Sequence, residues 1–120
     1  MKSFTDIKQS NKLAEILPIE SADHNYLRKV RNENAVDGEW NFFDTDYEIV
    51  PCWSLAALLS LIKDKCGYFE FVYLKRTSDG RANPLEDVYR LSTDVYDVYN
   101  KEAIDACVEM ILKLHDLKML

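Results

Sequence analysis

The feature that most constrains how this chain folds lies near its carboxyl end, where Ala103, Cys107, Met110, Leu114 and Leu117 recur at alternating spacings of four and three. That period puts them on one face of an α-helix, flanked by Ile104 and Ile111, and Asn100 supplies a good amino-terminal cap. Such a helix needs a core to bury itself in. With 120 residues, of which 48% are hydrophobic and 12% aromatic, the chain has the material for one domain spanning residues 1–120.

Other elements follow from local pattern. Phe4, Ile7, Ala14 and Leu17 have the spacing of one helical face, with Lys8, Gln9 and Lys12 outward, and Pro18 closes that helix. A further helix starts after Ser54, whose hydroxyl suits an N-cap, with Trp53 and Leu58 placed as a hydrophobic staple. Its residues Leu55, Ala56, Ala57, Leu58, Leu59, Leu61 and Ile62 predict burial on most sides, and Gly67 after Lys63 and Lys65 suits its carboxyl end. Tyr68 to Leu74 and Val88 to Thr93 read as two strands of an antiparallel hairpin, separated by Ser78-Asp79-Gly80 and Asn83-Pro84.

Between Ile19 and Val50 the periodicity is weak. Tyr26 to Val30 reads as a strand, Asp37-Gly38 as a turn, and Trp40 to Phe43 and Tyr47 to Val50 as short extended pieces, with a long loop as the alternative. The order of elements predicts an α+β fold in which about three helices pack mainly on one face of a small antiparallel sheet.

Composition narrows the function classes. Residues 1–6 lack the features of a secretory signal, and the apolar stretch Leu55 to Ile62 is far shorter than the roughly 20 residues of a membrane-spanning helix, so a cytoplasmic location without membrane contact is expected. The three cysteines, Cys52, Cys66 and Cys107, fit neither a disulfide framework nor a zinc site, and read as free structural thiols. The formal net charge is −6, with acidic stretches over 37–50 and 79–110. Such a surface repels phosphate backbones, and direct nucleic-acid binding is not expected; Arg28, Lys29 and Arg31 form the one basic cluster.

No constellation of residues spells out a reaction. Asp23-His24 and His115-Asp116 are the only histidine–acid neighbours, and neither has metal-site spacing. Ser54 and Ser92 lack a nucleophile elbow, and the three scattered glycines exclude phosphate-cradling loops of the Walker or Rossmann kind. Neither catalytic residues, nor a cofactor, nor a metal is expected. Asp-Val-Tyr occurs at 87–89, 94–96 and 97–99, where strand packing explains the tyrosines as well as recognition does. Trp40, Phe42, Phe43 and Tyr47 lie in an acidic stretch and are the candidate partner-binding residues, against the plainer reading that they plug the edge of the sheet.

The segments Pro51 to Leu59 and Asp105 to Ile111, with Lys113-Leu114-His115, resemble a group of small uncharacterised proteins encoded in phage-derived and mobile elements of gut bacteria. The resemblance implies a shared fold and an accessory role for a mobile element, and carries no catalytic residues with it. The reading that results is a small non-enzymatic protein that acts by binding another protein, with a homodimer left open. Two alternatives stand beside it: an enzyme or ligand-binding protein whose site is assembled from distant residues such as Asp23 and His24, and an acidic nucleic-acid mimic.

Overall fold

The computed structural model describes residues 2–31, 45–75 and 87–120. Trp40, Phe42 and Phe43 lie outside these residues, as do the Asp37-Gly38, Ser78-Asp79-Gly80 and Asn83-Pro84 turns. Helices α1 (Ile7–Ala14), α2 (Leu55–Cys66) and α3 (Ala103–Asp116) combine with strands β1 (His24–Arg31), β2 (Thr45–Cys52), β3 (Glu70–Leu74), β4 (Val88–Ser92) and β5 (Asp97–Asn100). The fold is α+β, and its strands form two antiparallel sheets, β1-β2 and β3-β4-β5.

Helix α3 is the centre of the molecule. Ala103, Ile104, Ala106, Cys107, Val108, Met110, Ile111 and Leu114 are all buried, so the helix is covered on more than the one face its period defines. Helix α2 packs on one side of it, and β4 and β5 pack on another. Leu91 and Val98 stand opposite each other in the β4-β5 register and are both buried, which gives the sheet its apolar side toward α3. Helix α3 starts later than the expected Asn100. That residue closes β5, and its Oδ1 accepts the Glu102 N–H at 3.0 Å. Leu117, expected on the buried face, is exposed because the helix ends at Asp116.

Helix α1 is rotated from the expected face. Ser10 and Leu13 are buried, with Leu17 beyond the helix end, whereas Ile7 and Ala14 are exposed. The physical reason is polar. Asp6 Oδ1 accepts the Gln9 N–H at 2.7 Å and Gln9 Oε1 accepts the Asp6 N–H at 3.0 Å, a capping box that starts the helix. Gln9 Nε2 and Lys2 Nζ both donate to Asp105 Oδ1 at 2.8 Å, fixing this end against the first turn of α3. With that orientation set, the Ser10 hydroxyl turns inward and pairs with the Thr5 hydroxyl at 2.8 Å.

Helix α2 is capped as its sequence predicts. Ser54 Oγ accepts the Ala57 N–H at 3.2 Å, and Gly67 takes the left-handed conformation, φ 76°, that a side chain disfavours. Its burial is less complete than expected: Leu58 and Ile62 are buried, while Leu55, Leu59 and Leu61 are covered only in part. Trp53 is fully buried. Its indole N–H donates to Ser21 Oγ at 3.0 Å, and its backbone exchanges hydrogen bonds with Thr5.

Strands β1 and β2 pair in one continuous register from His24–Cys52 to Arg31–Thr45. Side chains alternate across such a ribbon. Tyr26 and Val50 face the body, where α1 packs against β2 and the Tyr26 hydroxyl donates to Thr5 O at 2.9 Å. No helix among the described residues is long and apolar enough to cross a membrane.

Candidate interaction surface

The histidine–acid pair Asp23-His24 sits where β1 leaves the body. Asp23 accepts the Ser54 N–H at 2.9 Å and the Ser54 O–H at 2.5 Å, and its Oδ1 lies 3.4 Å from His24 Nδ1. The His24 ring lies against Phe4, centroids 4.3 Å apart. Partial burial resists ionisation of Asp23, but the donors from Ser54 and His24 outweigh it and hold the carboxyl below its usual range. Serine, aspartate and histidine therefore meet, but in an order unsuited to nucleophilic catalysis. Ser54 spends its proton on Asp23 and its oxygen on the helix cap, and the carboxylate lies between hydroxyl and imidazole, where a triad needs the imidazole in the middle. His115 lies in the last turn of α3 and is exposed.

The thiols are equally unsuited to attack. Burial pushes Cys107 up to about 12. It also raises Cys52, with the Asp23 charge adding to the effect, and it raises Cys66 against a hydrogen bond from Thr93. Among the described residues no group of three or more histidine, cysteine, aspartate or glutamate side chains is gathered as a metal ion requires.

The outward face of the β1-β2 ribbon is a different kind of feature. Leu27 and Ile49 are direct partners in the register, and they are 70% and 64% exposed. Two large aliphatic side chains side by side in water form a small apolar patch on a regular backbone. Period-two alternation predicts this placement once Tyr26 and Val50 are known to face inward. The sequence reading missed the pair because the residues between the strands obscure their register. Of the four aromatic residues expected to bind a partner, Tyr47 falls within β2, at the register position of Lys29 and two residues from Ile49.

The second sheet resolves the Asp-Val-Tyr repeats into different environments. Tyr89 stacks on Phe71, centroids 5.3 Å apart, and packs against Tyr73 at 5.0 Å, a packing role on the α3 side. Tyr96 belongs to the turn before β5, with Lys113 Nζ 4.8 Å from its ring centroid, and Tyr99 is exposed on the outer face of the sheet. On that outer face Arg90 donates to Glu70 at 2.5 Å, and the Ser92 hydroxyl donates to Asp97. These carboxylates are engaged within the sheet.

A cleft of about 240 Å³ between the end of α1, α2 and Leu120 is lined mainly by Ile16, Leu17, Pro18 and Leu61, with Asp64 and Lys65 at its rim. It falls below the roughly 300–1,000 Å³ of small-molecule sites and lacks converging polar groups.

No family of known proteins matches the chain, and neither a curated protein nor a solved structure shows significant similarity to it.

Proposed function

We propose that the chain is a non-enzymatic interaction protein that binds another protein through the outward face of the β1-β2 ribbon. The observation that carries the reading is the exposed, register-paired Leu27 and Ile49 on a ribbon that packs against the body by its other face. Exposed aliphatic pairs on regular backbone are the material of interface centres, where a few apolar anchors dominate affinity. The resemblance of the Pro51–Leu59 and 105–111 segments to small proteins of phage-derived and mobile elements supports an accessory role for such an element.

The test is a tagged pull-down from the native host, run side by side with a Leu27→Asp/Ile49→Asp variant. At positions this exposed the substitutions are expected to change stability by less than about 1 kcal/mol, which a melting curve checks. A stoichiometric partner present with the native chain and absent with the variant supports the reading. A partner retained by the variant moves the interface elsewhere, and a protein that captures none shifts weight to a small-molecule function.

A further inference from the structure

We infer that β3 is the edge along which two copies of this chain join, antiparallel about a two-fold axis through Val72, so that their three-stranded sheets become one continuous sheet. Among the described residues β3 pairs with β4 alone, and its other row of backbone N–H and C=O groups has no strand beside it. Such an edge is a template for a further strand. Helix α3 packs on β4 and β5, which leaves β3 outlying. The consequence shows at Tyr73, which lies on the α3 side of the sheet by its register with Tyr89 and is nevertheless 51% exposed. The opposite edge is less available: β5 has four residues and leads into α3, which packs against it.

Self-complementarity selects a second copy as the occupant. Within Glu70–Leu74 the one charged side chain is Glu70, and Arg90 already holds it at 2.5 Å. Two molecules of net charge −6 can therefore meet along this strand without setting like charges against each other. A two-fold axis through Val72 places each Val72 opposite its counterpart, Glu70 opposite Leu74, and Phe71 opposite Tyr73. Glu70 thus never meets Glu70. The Phe71–Tyr73 pairs form on both sides of the axis and cover the exposed Tyr73 ring. They continue an aromatic row that the sheet already contains, where Tyr89 stacks on Phe71 at 5.3 Å and packs against Tyr73 at 5.0 Å. A foreign strand would have to supply this match, whereas a second copy carries it by symmetry.

The experiment is sedimentation equilibrium of the full chain over a wide range of concentration, joined to cross-linking. A strand pair of this length lies at the small end of stable interfaces, so a dimer that dissociates on dilution is expected. Val72→Glu sets two carboxylates face to face at the axis and should weaken the dimer about tenfold or more, with a melting curve to confirm the fold. Cross-linking reads the register. Residues directly opposite in antiparallel strands have Cα atoms about 4.5–5.5 Å apart, within the reach of a disulfide. Under air oxidation Val72→Cys should give covalent dimer, and so should a mixture of Glu70→Cys and Leu74→Cys chains but neither of these alone, above the background of the native cysteines. A chain that is monomeric at every concentration overturns the inference, as does a dimer unaffected by Val72→Glu, or one that Glu70→Cys alone cross-links as well as Val72→Cys does. A different protein captured from the host and lost on Val72→Glu, with the chain itself monomeric, would give the edge to a foreign strand and overturn the inference equally. The ribbon face is tested apart from this edge: Leu27→Asp/Ile49→Asp should leave the dimer intact, and a dimer that those substitutions abolish would belong to the ribbon and refute pairing through β3.

Discussion

Ser54 joins two tasks at one atom. Its oxygen caps α2 by accepting the Ala57 N–H, and its proton goes to Asp23, which ties the helix start to the base of β1. Removing the hydroxyl with Ser54→Ala deletes both bonds, and an N-cap alone is worth about 0.5–2 kcal/mol. The loss should depend on pH. The folded Asp23 carboxyl lies below its ordinary value, so it binds protons less readily than the unfolded one. Its contribution is present above the unfolded value of about 4 and is lost as pH falls through the lower folded value. Ser54→Ala should therefore cost most near neutrality and less below about pH 4, with urea denaturation at several pH values as the measurement. An equal cost across the range would mean that Asp23 contributes nothing through its charge. The cap was legible from the sequence, because an N-cap is a local matter of one residue and the turn after it. The Asp23 partnership was not, since residues 23 and 54 are brought together only by the ribbon between them.

At the scale of the element, the three Asp-Val-Tyr tripeptides show how little identical local sequence decides. Val88 and Val98 are 7% and 2% exposed within β4 and β5, whereas Val95 is 42% exposed in the turn that joins them. The turn is organised by Thr93, whose Oγ1 accepts the N–H groups of Val95 and Tyr96 and thereby holds Val95 off the sheet. Truncation to alanine should follow burial. Val98→Ala, and to a lesser degree Val88→Ala, is expected to cost about 1.5–3 kcal/mol in denaturant unfolding, and Val95→Ala no more than about 0.5 kcal/mol. A Val95 cost equal to that of Val98 would show that the turn is packed in solution. Strand β5 itself escaped the sequence reading because it has four residues, and its last, Asn100, is also a good helix cap. Longer elements were legible: α2, β3, β4 and α3 all lie close to where pattern put them, since each carries enough apolar residues to define a period. Helix α1 was found but rotated, because its orientation is set by Gln9, Lys2 and Asp105, polar contacts across about a hundred residues that hydropathy does not encode.

For the whole molecule the arrangement predicts uneven resistance to opening. Helix α3 is enclosed by α2 and by the β4-β5 side of the second sheet, so its amide groups exchange with solvent only when that shared core comes apart. The β1-β2 ribbon depends on less. A two-stranded ribbon is marginal in water by itself, and the residues that anchor this one, Tyr26, Val50 and Cys52, lie near its base. Beyond them Leu27 and Ile49 are exposed and add little burial. Native-state hydrogen exchange should therefore place the α3 amides, from Cys107 to Ile111, at the global unfolding free energy, and the β1 amides beyond Tyr26 well below it. The difference should narrow if a partner covers the outward face of the ribbon as proposed, because binding there adds its own free energy to the folded ribbon and buries the Leu27–Ile49 pair. Equal protection of α3 and the outer half of β1 in the isolated chain would show that the ribbon is already braced, and would remove the reason for expecting a partner there.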